Sequence, residues 1–409
     1  MSEPSPTLLI TLTGRDRPGV TAQVFDVLAA FDCCVVDVEQ IVVRGRLVLG
    51  VLVTPPEAAS GTPDTSRLES ALLAQARDLA LEMEIEHGQG DAPRRGSGRT
   101  HVTVLGAPLQ ASAVAAIVAR IAASGANIDR IARMARYPVT ALELSVSGAD
   151  PAELRPLLAE EGSRQEVDVA VQPADLLRRG RRLVVMDVDS TLVRGEVIEM
   201  LAEHAGCLDE VADVTERAMR GELDFEESLR ARVRLLEGLP ASVLDDVYAS
   251  IELSPGARTL VRTLKRLGYR FAIVSGGFSQ ITDRLAADLG IDLAEANELE
   301  IVDGRLTGEV VGRVVDRARK AEVLREFAAE LGVPPRATVA IGDGANDLDM
   351  LSAAGLGVAF NAKPVVRQAA DTSVNVPYLD TILYLLGISR EEVEAADADA
   401  GFTGAADGS

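Results

Sequence analysis

The sequence predicts an α/β protein in which a parallel sheet, covered by helices on both faces, follows two smaller units of mixed strands and helices. Three observations predict this fold class. The 409 residues exceed one ordinary domain, and 47% of them are hydrophobic, which is enough for two or three buried cores. In the second half, continuous apolar segments alternate with helical patterns, as in parallel sheets. In the first half, one series of strand and helix patterns occurs twice.

The first half reads as a duplicated unit. Its first series runs through the strand pattern TLLITLTG, the helix PGVTAQVFDVLAAF, the strands CVVDVEQIVV and RLVLGVLV, the helix RLESALLAQARDLA and the strand LEMEIEH. This βαββαβ order is that of a ferredoxin-like unit. It recurs from THVTVLG to QEVDVAVQP, so we expect one unit over residues 1–87 and another over residues 100–174. Residues 88–99 between them have the composition of a flexible linker.

The second half reads as one larger domain over residues 181–391. The segments RLVVMDV, RFAIVSGG, ATVAIGDG and GLGVAFN predict the strands of a Rossmann-like parallel sheet. A helical insertion over about residues 195–253 separates the first two strands and is too long for a simple crossover. Residues 392–409 are acidic and rich in small residues, so we expect a disordered tail.

Charge and composition exclude several classes of function. A formal net charge of −22 repels nucleic acid and anionic membranes, so neither is an expected partner. Three cysteines fit a reducing cytosol, and no segment has the roughly 18 continuous apolar residues of a membrane helix. The N-terminal MSEPSPTLLI also lacks the features of a signal peptide, and we expect a soluble, cytoplasmic protein. The three histidines (His87, His101 and His204) favour neither a histidine-based zinc site nor a Ser-His-Asp triad.

Two carboxylates follow the first strand of the predicted parallel sheet. Asp187 and Asp189 lie at its carboxyl end, where open α/β sheets bind ligands, and an extended chain points both the same way. Adjacent carboxylates raise each other's pKa unless a cation neutralises them, and Mg²⁺ prefers oxygen ligands and leaves room for phosphate. Taken alone, this D-x-D pattern is explained equally well by a surface or capping role.

Three further segments follow apolar strands of the same sheet. SGG (residues 275–277) offers a hydroxyl and free backbone N–H groups to an anion, although such a segment is also typical of a tight turn. Lys320 lies in the charged segment DRARKAEVLREF, where a solvated side chain is the alternative. GDGAND (residues 342–347) adds carboxylates, and the strand before it disfavours an EF-hand calcium loop. Together these groups suit phosphoryl transfer, with a carboxylate as the nucleophile and an aspartyl-phosphate intermediate.

In this order, DVDST, SGG, Lys320 and GDGAND resemble the four motifs of the haloacid dehalogenase-type phosphatases, over roughly residues 181–390. The helical insertion resembles the small cap of these enzymes, and the βαββαβ repeats resemble ACT domains. The whole chain is similar to the phosphoserine phosphatase family. The resemblance implies Mg²⁺-dependent hydrolysis of O-phospho-L-serine to L-serine and phosphate, the last step of serine biosynthesis.

The resemblance also implies roles for individual residues. Asp187 would be the nucleophile and Asp189 the general acid and base, with Lys320 as a further catalytic residue. The metal ligands would be Asp187, the backbone carbonyl of Asp189, and Asp343, with Asp347 supporting them. Phosphate or substrate would contact Ser275, Gly276, Lys320 and Asn346.

The predicted cap offers groups that could select the substrate. At about 100° per residue, Arg232 lies within about 20° of Phe225 on a helix, whereas Arg230 and Arg234 lie about 140° and 180° away. An arginine within an apolar stripe needs a partner, and a substrate carboxylate suits its geometry. By resemblance, Glu196, Met219, Phe225 and Arg232 match cap positions that bind and enclose phosphoserine. A helix-dipole role for Glu196 and ordinary packing for Met219 and Phe225 are the alternatives.

The repeats suggest regulation and pairing. GRDRPGV (residues 14–20) fits the ligand loop of ACT domains, whereas the second copy reads GAPLQAS and lacks the R-D-R-P-G pattern. We expect L-serine or another amino acid near Asp16 and Gly19, with Gly106 and Gln110 from another repeat. The resemblance also implies a homodimer formed through the ACT domains, and a dimerisation module without ligand is the alternative.

Two other functions are compatible with the motifs. The substrate could be another small phosphomonoester or a phosphoprotein. Alternatively, the chain could be a non-catalytic amino-acid sensor on a degenerate phosphatase scaffold. The intact motif residues Asp187, Asp189, Lys320 and Asp343 argue against the sensor.

Overall fold

The computed structural model of the chain describes residues 6–55, 65–90, 99–174, 178, 180 and 182–402. The chain forms two compact units, Met1–Arg95 and Gly96–Ser409. Each unit has its own hydrophobic core, and each is described by itself.

The first unit is a four-stranded antiparallel sheet covered by two helices. Its elements are β1 (Pro6–Arg15), α1 (Val20–Ala30), β2 (Cys34–Val43), β3 (Arg46–Thr54), α2 (Ser66–Asp78) and β4 (Leu81–Gln89). The strand order is β2-β3-β1-β4, as in a ferredoxin-like fold. Alternate residues of β1, such as Leu8, Ile10 and Leu12, pack against Val24 and Leu28 of α1 in one buried cluster.

The second unit begins with the repeat of this fold. Its elements are β5 (Arg99–Gly106), α3 (Ala111–Ala123), β6 (Asn127–Ala135), β7 (Thr140–Ser147), α4 (Pro151–Arg164) and β8 (Asp168–Pro173). The strand order β6-β7-β5-β8 repeats that of the first unit, which confirms the predicted duplication. The predicted linker, residues 88–99, is bounded by β4 and β5, and its residues 91–98 lie outside the described part of the chain.

A seven-stranded sheet forms the rest of the second unit. Its strands are β9 (Leu183–Met186), β10 (Arg270–Phe278), β11 (Leu293–Val302), β12 (Arg305–Val311), β13 (Thr338–Gly342), β14 (Leu356–Phe360) and β15 (Thr372–Val374). The order is β12-β11-β10-β9-β13-β14-β15, and only the β11–β12 pair is antiparallel. Every residue of β9 is buried, as its continuous apolar sequence predicts. The Rossmann-like core is confirmed, whereas β11, β12 and β15 were not predicted.

Helices cover both faces of this sheet. They are α9 (Ala257–Arg266), α10 (Ser279–Leu289), α11 (Arg317–Glu330), α12 (Leu348–Ala353), α13 (Pro364–Ala369) and α14 (Ile382–Leu385). The two faces have separate hydrophobic clusters, because alternate residues of each strand point to opposite sides. Leu183 and Val185 therefore pack on one face, while Val184 and Met186 pack on the other.

The insertion between β9 and β10 is a helical cap. It consists of α5 (Val197–Ala205), α6 (Leu208–Met219), α7 (Phe225–Arg234) and α8 (Val243–Ser250). Its two connections to the core lie side by side, because Val193 pairs with Leu253 in an antiparallel bridge. The N–H of Arg194 also donates to the carbonyl of Glu252, at 2.8 Å.

The second ferredoxin-like fold contacts the large sheet through buried polar groups. Asp168 of β8 accepts a hydrogen bond from the N–H of Asn375, at 2.7 Å. Gln172 of the same strand donates to the carbonyl of Leu385, at 2.9 Å. These contacts belong to one compact unit, so the junction is part of its folded core.

The expected disorder after residue 391 is wrong for its first part. Helix α15 (Arg390–Asp399) covers this segment, and Ser389 begins it with a capping box. Val393 is buried, and Asp397 accepts a bidentate contact from Arg262, at 2.7 and 3.1 Å. Composition could not predict these contacts, because they join residues far apart in the sequence. Residues 403–409 of the expected tail lie outside the described part of the chain.

In the described part of the chain, no helix has both the length and the apolar character that crossing a membrane requires.

Candidate active site

The candidate site lies at the carboxyl edge of β9, in the middle of the large sheet. The N–H of Asp187 donates to the carbonyl of Ile341, at 2.9 Å, so β13 holds the backbone at this residue. The chain then turns sharply, and Ser190 adopts a left-handed conformation with φ of 57°. The strand order therefore places Asp187 between the ends of β10 and β13, where the other motifs begin.

Lys320 is buried beneath this edge. Its Nζ lies 2.7 Å from Asp187 Oδ1 and 2.7 Å from Asp347 Oδ1, and its side chain is 0% exposed. Burial alone would lower the pKa of the ammonium group, but the two carboxylates outweigh burial and raise it. The lysine therefore stays charged. Helix α11 presents it, and Asp316 caps this helix by accepting from the N–H of Arg319, at 2.7 Å.

Three carboxylates form a group that could hold a metal ion. Oxygen atoms of Asp187, Asp343 and Asp347 lie within 4.8 Å of one another. Burial and the nearby Asp347 raise the pKa of Asp187 well above its ordinary value and that of Asp343 to about 6. Three carboxylates against the single ammonium of Lys320 also give the group an excess of negative charge when all are ionised. An all-oxygen donor set with excess negative charge fits a hard divalent cation such as Mg²⁺.

The carboxylate of Asp189 points away from this group. Its Oδ1 accepts from the N–H of Val197, the first residue of α5, at 2.8 Å. Its Oδ2 accepts from the hydroxyl of Ser275, at 3.2 Å. Burial raises the pKa of Asp189, which favours a bound proton beside the candidate nucleophile. A metal contact from Asp189 would use its backbone carbonyl, as the sequence resemblance implies.

Residues 275–277, in the irregular last part of β10, are fitted closely to these groups. The hydroxyl of Ser275 accepts from the N–H of Gly277, at 2.7 Å, while it donates to Asp189. A Cβ atom on Gly277 would lie 2.7 Å from Asp189 Oδ2, so a larger residue would displace that carboxylate. Gly276 faces the cap, where its Cβ would lie 3.1 Å from Phe225 Cζ. Glycine is therefore required here by close packing rather than by a tight turn alone.

A cavity of about 240 Å³ lies between the core and the cap. The core contributes Asp187, Asp343 and Asn346 to its walls, and the cap contributes Glu196, Phe225 and Arg232. This volume is below the roughly 300–1,000 Å³ of sites for drug-sized ligands, so it suits a small metabolite. Carboxylates lie at one end, and an acid and an arginine of the cap lie at the other.

Arg232 is the half-buried arginine that the helical periodicity predicts. It shares the cavity with Phe225 and Leu229, and its Nε is buried without a hydrogen-bond partner in the described part of the chain. Burial lowers its pKa. By contrast, Arg230 donates to Glu226, at 2.9 Å, and the side chain of Arg234 is 65% exposed. Arg232 therefore offers an unused donor group to a ligand.

Glu196 lies at the N-cap position of α5. Within the described residues its side chain makes no capping hydrogen bond, and the first N–H of the helix, that of Val197, donates to Asp189. Burial, with Asp189 and Asp343 nearby, raises the pKa of Glu196 to about 7. A ligand ammonium would relieve this repulsion. The remaining cap candidate, Met219, ends α6, and its side chain lies outside the described part of the structure.

Sequence reasoning missed two residues of the site. Thr191 donates its hydroxyl to Asp343 Oδ1, at 3.1 Å, and Lys363 lies in the wall of the cavity. For Gly277 the sequence predicts a backbone N–H for an anion or a tight turn, and the structure adds its close approach to Asp189. Thr191 belongs to the DVDST motif, and this motif was the signal that could have identified it from the sequence. Lys363 precedes α13, and nothing in its local pattern indicates that the fold returns it to the cavity.

The predicted effector residues lie in the two units as follows. Asp16 donates its N–H to the carbonyl of Gly45, at 2.8 Å, and Gly19 precedes α1 with φ of 91°. In the second unit, Gly106 ends β5 and Gln110 is the N-cap residue of α3. Each pair thus lies at the loop between the first strand and first helix of its repeat.

Family models match three parts of the chain. The model for haloacid dehalogenase-like hydrolases matches residues 184–352, and two ACT domain models match residues 6–86 and 99–172.

Curated relatives match nearly the whole chain. A phosphoserine phosphatase of Streptomyces coelicolor is 64% identical over 393 residues, covering 96% of this chain and 95% of the relative. Phosphoserine phosphatase SerB2 of Mycobacterium tuberculosis is 53% identical over 397 residues, covering 96% of each chain. Among solved structures, a probable phosphoserine phosphatase from Vibrio cholerae matches with a TM-score of 0.57 and 34% identity, covering 72% of this chain and 88% of that one.

Proposed function

Because this chain belongs to the phosphoserine phosphatase family of haloacid dehalogenase-like hydrolases, with two ACT domains before the catalytic domain, we propose that it hydrolyses O-phospho-L-serine with Mg²⁺ through an aspartyl-phosphate on Asp187. One observation carries the proposal. Asp187 lies 2.7 Å from the buried Lys320 ammonium and faces the same cavity as Arg232 and Glu196. The cysteine content favours the cytoplasm as the place of this reaction.

The first chemical step transfers the phosphoryl group to the enzyme. A carboxylate oxygen of Asp187 attacks phosphorus, and the bond between phosphorus and the seryl oxygen breaks. Asp189 gives its proton to the leaving oxygen, so L-serine is released as the alcohol. Lys320 and backbone N–H groups at the end of β10 stabilise the negative charge on the phosphoryl oxygens.

The second step releases phosphate. Asp189, now a carboxylate, takes a proton from water as the water oxygen attacks phosphorus of the aspartyl-phosphate. The acyl–phosphate bond breaks, which restores the Asp187 carboxylate and the protonated Asp189. Asp187, Asp343 and the backbone carbonyl of Asp189 would hold Mg²⁺, with Asp347 in support. The ion would supply positive charge that reduces repulsion between carboxylate and phosphate.

The cap accounts for the two other charged groups of phosphoserine. Arg232 would bind the carboxylate, since its Nε is buried and unpaired in the described residues. Glu196 would bind the ammonium group, since burial and the nearby Asp189 and Asp343 raise its pKa, and a bound cation would compensate both effects. Phe225, and by resemblance Met219, would keep water from the site.

The direct test of the function is phosphate release from O-phospho-L-serine by the purified chain, with Mg²⁺ and with the metal removed by EDTA. We expect turnover with Mg²⁺ and almost none after chelation. Rapid hydrolysis of another phosphomonoester, but not of phosphoserine, would reject the substrate and retain the chemistry.

Replacing Arg232 with methionine should separate substrate recognition from phosphoryl transfer. We expect kcat/KM for O-phospho-L-serine to fall about 100-fold, because the substrate carboxylate would be buried without its partner. Hydrolysis of p-nitrophenyl phosphate, which has no carboxylate, should change little. Arg234→Met is the matched control, because this arginine lies on the same helix with 65% of its side chain exposed. Equal losses on both substrates would contradict the carboxylate role.

We further propose that the ACT domains bind an amino-acid effector and pair two copies of the chain. The loop around Asp16 and Gly19 carries the R-D-R-P-G pattern, and Gly106 and Gln110 lie at the matching loop of the second repeat. Strand β2 is an edge strand whose residues are all exposed, among them Val38, Ile41 and Val43. An exposed apolar edge strand of this length favours pairing with another sheet, here that of a second copy.

Calorimetric titration with L-serine tests the effector proposal. We expect heat of binding at millimolar concentration or below in the intact chain, and loss of that heat in Asp16→Ala. Titration with D-serine controls for non-specific heat. Binding that persists unchanged in the variant would place the ligand elsewhere, and no heat at all would favour ACT domains that only dimerise.

A further inference from the structure

A buried asparagine lies just outside the candidate site. Asn297 is 1% exposed and belongs to β11. Its Nδ2 donates to the carbonyl of Gly276, at 2.8 Å, and its Oδ1 accepts from the N–H of Val315, at 2.8 Å. Both partners are backbone groups, so this side chain joins three separate segments of the fold. Neither the sequence patterns nor the proposed mechanism uses this residue.

The hydrogen bond from Asn297 to the carbonyl of Gly276 takes the place of regular backbone pairing between β10 and β11. Strands β10 and β11 pair in register up to Val274, and the register then shifts before Phe278 pairs with Asn297. Residues 275–277, called the phosphate-binding loop below, occupy this irregular stretch. A buried carbonyl without a partner costs free energy, and the Asn297 amide supplies the partner for Gly276.

The same contact fixes the direction of the N–H of Gly277. The carbonyl of Gly276 and the N–H of Gly277 belong to one planar peptide unit and point in opposite directions. Holding the carbonyl toward Asn297 therefore points the N–H toward the Ser275 hydroxyl, 2.7 Å away. That hydroxyl donates to Asp189 Oδ2, at 3.2 Å. A continuous series of hydrogen bonds therefore links Asn297 to Asp189, the candidate general acid.

The second contact reaches the helix that carries Lys320. Val315 directly precedes Asp316, the capping residue of α11. The N–H of Lys320 donates to the carbonyl of Asp316, at 3.0 Å, in the first turn of this helix. Asn297 therefore ties the start of this helix to the phosphate-binding loop.

We propose that Asn297 is a positioning residue for phosphoryl transfer: it sets the loop N–H groups and the Lys320 helix at the separation that the phosphoryl group requires. The proposal rests on the proposed function, because it assumes that this loop and lysine bind the phosphoryl group. It predicts a defect in the chemical step that is the same for every phosphomonoester. Misplacement of about 1 Å in a catalytic group can cost about 100-fold in rate.

A control residue binds the same strand from a neighbouring helix. Gln280 of α10 donates to the carbonyl of Leu299, at 2.9 Å, and accepts from the N–H of Leu299, at 3.4 Å. Its amide thus also joins a neighbouring segment to β11, but it does not contact the phosphate-binding loop. If Asn297 had only a structural role, replacing either amide would lower stability, and neither replacement would lower kcat.

The experiment compares Asn297→Leu with Gln280→Leu in the full chain. We expect both variants to lose thermal stability, but only Asn297→Leu to lose kcat, by about 10- to 100-fold. The loss should be equal for phosphoserine and p-nitrophenyl phosphate, unlike that of Arg232→Met. Inhibition by inorganic phosphate should weaken in parallel. Equal kinetics in the two leucine variants, or a loss confined to phosphoserine, would overturn the proposal.

A double-mutant cycle with Ser275→Ala tests the contact path. If Asn297 acts through the loop, the Asn297→Leu defect should be much smaller in the Ser275→Ala background. Additive defects would show that it acts independently and would overturn this route. If Asn297→Leu does not fold, the smaller change Asn297→Ser replaces it, both in the comparison with Gln280→Leu and in the double-mutant cycle. An active wild type with unaffected Asn297 variants would reject this inference alone, whereas an inactive wild type would reject the proposed function.

Discussion

Asp187→Asn should abolish phosphate release from O-phospho-L-serine, with kcat falling by about 10⁴-fold or more. The amide retains the shape of the side chain but cannot attack phosphorus as a carboxylate does, and removal of a nucleophile has effects on this scale. The measurement is phosphate release under saturating substrate and Mg²⁺. Trapping of labelled phosphate on the protein should succeed for the wild type and fail for the variant.

The same change should not destabilise the fold. Burial and the neighbouring Asp347 raise the pKa of Asp187, so its ionised form is less favourable in the folded chain than in the unfolded chain. Above the unfolded pKa, the charged group therefore lowers the free energy of unfolding. A neutral asparagine removes this cost, while Lys320 keeps Asp347 as its counter-charge, 2.7 Å away. We therefore expect the metal-free melting temperature to stay the same or rise.

The control for this result is Asp168→Asn. Asp168 is also buried, but it accepts from Asn375 at the junction with the second ferredoxin-like fold. This variant should keep the wild-type kcat, even where its stability falls. An active Asp187→Asn enzyme would refute the aspartyl-phosphate mechanism, and a marked loss of its stability would contradict the electrostatic argument.

Lys320→Met should damage both activity and stability. Its Nζ lies 2.7 Å from each of two buried carboxylates, so removing the ammonium leaves Asp187 and Asp347 without a compensating charge. Breaking a buried ion pair in this way costs about 3–5 kcal/mol in the free energy of unfolding. Loss of a group that stabilises the phosphoryl oxygens should also lower kcat by about 10²- to 10³-fold.

Denaturant unfolding and steady-state kinetics measure the two effects of this change. Lys265→Met is the matched control, because Lys265 pairs with Asp292 at 3.1 Å but keeps 33% of its side chain exposed. A partly exposed pair of this kind contributes at most about 1 kcal/mol. Saturating Mg²⁺ should restore part of the stability of Lys320→Met, because a cation that binds the folded state neutralises the same carboxylates. If both lysine variants were equally stable, Lys320 would not be the counter-ion of the site.

The acidic residues of the motifs could be located from sequence because their signal is local. Asp187 and Asp343 each end a continuous apolar segment, and such segments form the parallel strands whose carboxyl ends bind ligands. The periodicity of α7 likewise distinguished Arg232 from Arg230 and Arg234, because side-chain direction on a helix follows from spacing alone.

Other elements of the fold could not be predicted from local sequence patterns. Strand β11 alternates acidic and apolar residues, and β15 has only three residues, so neither gives a continuous apolar signal. The acidic, small-residue composition predicts a disordered tail where α15 lies. The ion pair with Arg262 that holds this helix joins residues far apart in the chain, so local composition gives no sign of it.

Residue types and short-range spacing were enough to predict the fold class, the duplication of the first half and the acids of the candidate site. The burial of Lys320 between two carboxylates, the close packing of Gly277 against Asp189 and the link through Asn297 between the phosphate-binding loop and the Lys320 helix become visible in the folded chain. Burial and hydrogen-bond partners are set by segments that meet across the sheet, and local spacing carries no information about which segments meet.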